Sequence, residues 1–222
     1  KVKANELHNA LVEKAAENDE QLMEQYFAKG TLDEDELREG LKLGMIHHDV
    51  FPVFVMSARK NMGSGRMMGF IDNVAPCPRE AKPEISTEGN EIPIDASQPT
   101  VLFVFKSHIE PNLGKLSYFK VISGEVTTNA ELVNSQTGAT ERIHQLFIMD
   151  GKNRTPIDKL VAGDIGATLK LKDTFSNQTL HAKGYDVTIK PIDFPAPRIR
   201  TAIVAKSKND DEKIGEVLQK IH

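Results

Sequence analysis

Five prolines, Pro76, Pro78, Pro83, Pro93 and Pro99, stand between residues 76 and 99, and the hydrophobic period changes across them. Proline lacks the amide that a helix interior or a sheet ladder requires, so no regular element runs through this stretch and its two flanks form separate elements. Before it, apolar residues recur at helical spacing; from Thr100 onward they alternate. A chain of 222 residues is long enough for more than one core. Pro195 and Pro197 interrupt the pattern again, which gives four segments: 1–75, a linker 76–99, 100–194 and 195–222.

In the first segment the spacing predicts a helix from Asn5 to Phe27, divisible at Asn18-Asp19 and ended by Gly30. Thr31 to Glu34 spells a capping box, from which a second helix runs to about Leu43 with Gly44 as its left-handed cap. Val50 to Ala58, rich in Val and Phe and without helical period, predicts a buried strand. A loop at 57–61 and a helix from Met62 to Val74 follow. One strand between helices is the last unit of an α/β sheet whose other strands are missing, and with Lys1 in first place the chain reads as a piece of a longer protein.

From Thr100 short alternating runs predict strands at 101–105, 116–122, 131–134, 141–149, 167–171 and 186–189. Turn pairs separate them at Pro111-Asn112, Ser123-Gly124, Thr137-Gly138, Asp150-Gly151 and Gly163-Asp164, the pattern of a closed antiparallel barrel. Ile199 to Ala205 predicts one more strand, and Asn209-Asp210 caps a helix through Ile214, Val217, Leu218 and Ile221.

No catalytic or metal-binding constellation emerges. His47-His48 point in different directions and no H-x-x-x-H spacing accompanies them, while His108, His144 and His181 read as ordinary strand or loop histidines. Cys77 is the single cysteine, which leaves no disulfide within the chain and fits a reducing cytoplasm. Gly63-Ser64-Gly65 reads as a turn, and Gly114-Lys115 is followed by Leu116, so no G-x-x-x-x-G-K-[ST] phosphate loop exists. No apolar run is long enough to cross a bilayer. A net charge of −4 argues against a nucleic-acid partner only until it is located. Residues 1–99 hold 11 Lys and Arg against 18 Asp and Glu, whereas residues 100–200 hold 13 against 10, so the barrel segment is the basic one.

Two stretches carry a family resemblance. Phe51-Pro52-Val53-Phe54-Val55-Met56-Ser57-Ala58-Arg59-Lys60-Asn61-Met62-Gly63 resembles the end of the GTPase domain of elongation factor G. Phe105-Lys106, then Pro111 through Gly124, resembles the start of that family's second domain. Leu160 to Ala167, Leu171-Lys172-Asp173-Thr174 and Thr179-Leu180 follow in the family's order, and Pro195-Ala196-Pro197 with Lys206 to Leu218 resembles the entrance to its third domain. The resemblance implies a mixed α and β, multi-domain chain. It comprises a partial α/β GTPase-domain tail of helices plus one strand, an antiparallel β-barrel of the translation-factor domain II type, and the start of an α+β ferredoxin-like domain.

It also implies a ribosome-dependent GTPase as parent, acting in translocation, with GTP or GDP and Mg2+ bound by the parent and none by this piece. Neither the D-x-x-G nor the N-K-x-D motif is present. Ser57 and Ala58 fall at the guanine-pocket loop, where the Ala58 N–H would donate to the guanine O6 and Ser57 would shape the turn. The barrel would rest on small-subunit ribosomal RNA and ribosomal protein, with Lys106, Lys115, Lys120 and Arg142 as candidate phosphate contacts. The linker 79–98 is shorter than usual for elongation factor G. Asn73 to Pro78 also departs from that family's ending, so ribosomal protection proteins, peptide release factor three and BipA-like GTPases stay open as alternatives. A standalone RNA-binding or adaptor barrel is a further alternative. A sugar- or small-molecule-binding barrel is disfavoured, because aromatics make up 6% of the chain and Trp is absent.

Overall fold

The computed structural model describes residues 2–110, 114–205, 207, 214, 215, 217 and 218. The chain forms two units, Lys1–Lys82 and Pro83–His222.

The first unit holds four helices: α1 (Val2–Ala16), α2 (Glu20–Lys29), α3 (Glu34–His47) and α4 (Ser64–Asn73). The expected division falls at Asp19, whose carboxylate accepts from the Gln21 and Leu22 amides and so caps α2. Asn18 beside it donates its side-chain amide to the carbonyls of Lys14, Ala15 and Gly40, tying α1 to α3. Val12, Ala15, Ala16 and Leu32 are buried together, with Met23, Tyr26, Leu37 and Leu41 packed around them. The helices cross so closely that a Cβ on Gly40 would lie 2.5 Å from the Ala15 carbonyl oxygen. A short 3-10 turn, Pro78–Glu80, is held to α3 by a 2.9 Å bond from Lys42 to Glu80. The Cys77 amide and Lys42 together hold the Glu80 carboxyl down to about 2.

Three local expectations change here. The capping box is Asp33 with Glu36 rather than Thr31 with Glu34, because Asp33 accepts from the Asp35 and Glu36 amides while Glu36 reaches back to the Asp33 N–H. Gly44 lies inside α3, and His48 takes the left-handed cap at φ 65°. Val50 to Ala58 is not a buried strand: Val53 is 89% exposed and Val55 fully exposed, and the stretch forms only an isolated bridge between Ser57 and Met62. A strand is stabilised by its neighbours, and among the described residues this unit offers none.

The second unit is antiparallel β-structure. Its strands are β1 (Glu84–Ile85), β2 (Glu91–Ile92), β3 (Val101–Glu110), β4 (Gly114–Ser123), β5 (Glu125–Thr127) and β6 (Glu131–Asn134), then β7 (Thr140–Arg142), β8 (Leu146–Asp150), β9 (Asn153–Ile157), β10 (Lys159–Val161), β11 (Ile165–Leu169) and β12 (Gln178–His181). Eight of them pair in the order β7-β6-β12-β3-β4-β11-β8-β9, β10 pairs with β5, and β1 pairs with β2. The eight-stranded ladder stays open between β7 and β9, which makes the unit a curled half-barrel. Side chains complete its closure: Leu102, Phe119, Val126, Leu160 and Leu180 from five strands, with Ile143 from the segment after β7, share one buried cluster.

Residues 83–99, read as linker, take part in this unit. Ile92 is buried with Val101, Phe103, Ile122 and Ile189, and the Lys190 amide donates to the Ile85 carbonyl. The expected strand 141–149 is two strands, β7 and β8, separated by a bend at 143–145. The expected strand 186–189 is reduced to one bridge between Ser86 and Ile189, while its place in the ladder passes to β12, just upstream. Residues 199–205 have no regular structure, and the Pro111-Asn112 turn and most of the final helix lie outside the described residues.

Turn glycines separate into two kinds. Gly124 adopts φ 71°, and a Cβ there would lie 2.6 Å from the Gln98 oxygen and from the Thr100 N and Cα. Gly138 has the same φ of 71° with nothing within 4 Å of the added atom. Gly138→Ala is therefore expected to cost only the left-handed strain, about 1–2 kcal/mol. Gly124→Ala is expected to cost clearly more, because backbone must also move. Paired thermal melts check the order, and equal losses would refute it.

Candidate nucleic-acid interface

Ser57 and Ala58 sit in a tight turn rather than at the end of a sheet strand. The Ser57 N–H donates to the Met62 carbonyl at 2.9 Å, the Met62 N–H returns to Ser57 at 3.0 Å, and Asn61 N–H closes onto the Ala58 carbonyl at 3.1 Å. Ala58 is exposed, and among the described residues nothing accepts from its N–H. Gly63 at φ 85° then starts α4, packed so closely on Met56 that a Cβ would approach its Cβ to 3.1 Å. The Ala58 N–H is thus left free, and it is the donor the guanine-pocket resemblance calls for. No cluster of metal-ligating side chains exists among the described residues.

The four basic candidates divide between two places on the half-barrel. Lys106 lies opposite Tyr118 in the β3-β4 ladder, Tyr118 opposite Ala167 of β11, Ala167 opposite Phe147 of β8, and Phe147 opposite Pro156 of β9. Directly opposed residues of an antiparallel sheet share a face, so one row crosses five strands. Lys106 Nζ stands 5.7 Å from the Tyr118 ring centre, and the Arg154 guanidinium stands 5.9 Å from that of Phe147. His108 stacks on Tyr118 at 5.7 Å. Lys120 shares the face, two residues along β4, and bonds Glu84 at 2.8 Å. Ala167 and Phe147 are buried in this face, while Lys106 is exposed and Tyr118 and Arg154 are half-buried, so its accessible part joins cations to a ring and suits a nucleic-acid backbone.

Lys115 and Arg142 belong elsewhere. Lys115 Nζ lies 3.6 Å from the Phe175 ring centre, near Glu141 and Asp173, and burial holds its ammonium below the ordinary lysine value. Arg142 is exposed and donates to the Asn129 side-chain oxygen at 3.2 Å. It borders a groove with Thr140, Glu141, His144, Lys170 and Lys172. Sequence reasoning missed Tyr118, Phe147 and Arg154 as partners of Lys106, since only the register across β8 and β11 aligns them. It also missed Lys170 and Lys172, although the Leu171-Lys172-Asp173-Thr174 motif pointed at that loop.

Residues 99–183 match the family described as elongation factor G domain 2. The fold is similar to a crystal structure of a protein from Thermus thermophilus, with a TM-score of 0.75 and 21% sequence identity over 95% of this chain. This chain spans 30% of that protein's length. Across its matched residues the barrel unit of this chain is thus similar to elongation factor G domain 2.

Proposed function

We propose that the chain is part of a ribosome-dependent translational GTPase that acts in the elongation step of protein synthesis in the cytoplasm. In this reading the barrel supplies the contact with small-subunit ribosomal RNA and ribosomal protein. The observation that carries it is the barrel's match to elongation factor G domain 2, joined to the row Lys106–Tyr118–Ala167–Phe147–Pro156 on one sheet face. Phosphate contacts from such lysines position a protein on RNA without reading sequence, and the half-buried Tyr118 ring offers a surface for stacking.

GTP and Mg2+ belong to the rest of the protein. The Ser57-Ala58 turn would contribute the Ala58 N–H to the guanine base, and this chain has no phosphate loop.

Co-sedimentation of the whole protein with ribosomes, in a non-hydrolysable GTP analogue, tests the reading. Lys106→Glu with Lys120→Glu is expected to weaken pelleting by about tenfold or more and to flatten its salt dependence. Unchanged pelleting at every salt concentration would remove the sheet face from the contact.

A further inference from the structure

A second concavity on the barrel unit is built differently from the sheet face. Thr140, Glu141, Arg142, His144, Lys170 and Lys172 line it, from β7, the bend after β7 and the loop after β11. Its floor is the Glu141 side chain, in a residue only 3% exposed. Both Glu141 oxygens are already engaged: Oε2 accepts from the Lys172 N–H at 3.0 Å, and Oε1 accepts from the Asp173 N–H at 2.7 Å and the Thr174 hydroxyl at 2.8 Å. The carboxylate therefore braces the loop that carries the lysines, and those inward-facing donors satisfy it.

The rim is left positive. Arg142, Lys170 and Lys172 are exposed and form no ion pair among the described residues. Arg142 gives one of its five N–H groups to Asn129, a neutral acceptor, and keeps its charge and further donors. Lys170 holds φ 65°, a left-handed backbone that lysine rarely adopts. Its own N–H is fixed on the Lys115 carbonyl at 2.9 Å. A strained residue of this kind persists where the surrounding structure over-determines it, and here it sets a cation at the edge of a concave surface.

We infer that this groove is a phosphate-binding site, separate from the sheet face, in which Arg142, Lys170 and Lys172 converge on one phosphate group with His144 and the Thr140 hydroxyl beside them. Arginine offers a planar fork to two phosphate oxygens, and two lysines add point charges to the third and to the net charge. The phosphate belongs either to a small phosphorylated molecule or to a phosphodiester of RNA; the chemistry is shared and the sources separate by experiment. The site does not depend on the ribosomal reading, since its residues lie outside the row that carries that reading.

The test is an amide chemical-shift titration of the 222-residue chain. One arm uses inorganic pyrophosphate, and a second uses a short single-stranded RNA without terminal phosphates. Saturable shifts confined to residues 140–144 and 170–174 are expected in at least one arm. Lys170→Asn with Lys172→Gln, in which asparagine tolerates the left-handed backbone, is expected to weaken that binding at least tenfold. Arg142→Gln alone serves if the double variant loses its dispersed spectrum, and is expected to weaken it several-fold. Lys106→Gln is expected to leave pyrophosphate binding unchanged. Response to pyrophosphate alone assigns a small phosphorylated ligand; response to RNA assigns a phosphodiester. No localised shift in either arm, or undiminished binding by both groove variants, overturns the site.

Discussion

Phe119→Ala is expected to destabilise the barrel unit by about 3–5 kcal/mol. Phe119 is fully buried, in the middle of β4, and lies in the cluster that draws Leu102, Val126, Leu160 and Leu180 from four other strands. The eight-stranded ladder is open between β7 and β9, so this cluster takes the place of the missing strand-to-strand hydrogen bonds. Truncating its largest side chain removes apolar burial and leaves a void that strands bonded to their neighbours cannot collapse into. Hydrogen exchange at the Leu102, Val104 and Leu180 amides reads the loss directly. Ile148→Ala, at a position 47% exposed, is the control and should cost well under half as much. Comparable effects at the two positions would mean that the half-barrel does not close through its core.

The second large effect is expected at Glu141. Its carboxylate accepts three donors from the loop after β11, and Thr174, one of those donors, also receives the Asn134 side-chain amide at 3.0 Å. Asn134 in turn reaches the Asp173 carbonyl and Gln178, so β6, β7, β12 and the loop are joined by one buried polar network. Glu141→Ala leaves two backbone amides and a hydroxyl without an acceptor. At about 1–3 kcal/mol for each unsatisfied buried group, partly relieved by water, a total of about 2–4 kcal/mol follows. Glu141→Gln keeps one acceptor oxygen but turns an NH2 toward another donor, and should fall between wild type and alanine. Urea unfolding of the three proteins checks the order. A glutamine variant as stable as wild type would show that the charge contributes nothing to the network.

Much of this architecture could be read from residues alone, and the exceptions share a cause. The strand at 131–134 is found where alternation placed it, and the turns at Gly124, Gly138, Gly151 and Gly163 all have glycine in the left-handed region. These signals are local: side-chain alternation, and a backbone angle that glycine adopts readily. Phe51 to Met56 carries the strongest local strand signal of the first unit and forms no strand, because burial and pairing depend on neighbours that composition does not reveal. Gln178 to His181 has little apolar pattern yet is a central strand, since both its edges find partners, in β3 and β6.

The candidate site shows the same division. Lys106 was legible as a cation beside a family-like motif, but its alignment with Tyr118 and Phe147 depends on the register of strands far apart in the chain. Lys115 carried an equal charge and an equal claim, and the fold sets it over Phe175 and partly out of water. Charge is written in sequence; whether a charge is free is decided by packing.

Site-specific photocross-linking from position 106 of the whole protein, bound to ribosomes, addresses the central claim most directly. The cross-linking side chain replaces Lys106 in one protein and, as control, Ile148, which alternates to the other side of β8 from Phe147. The account predicts a cross-link from position 106 to small-subunit ribosomal RNA and none from position 148. An absent RNA product at 106, or equal products from both positions, would contradict the assignment of this sheet face to the ribosome.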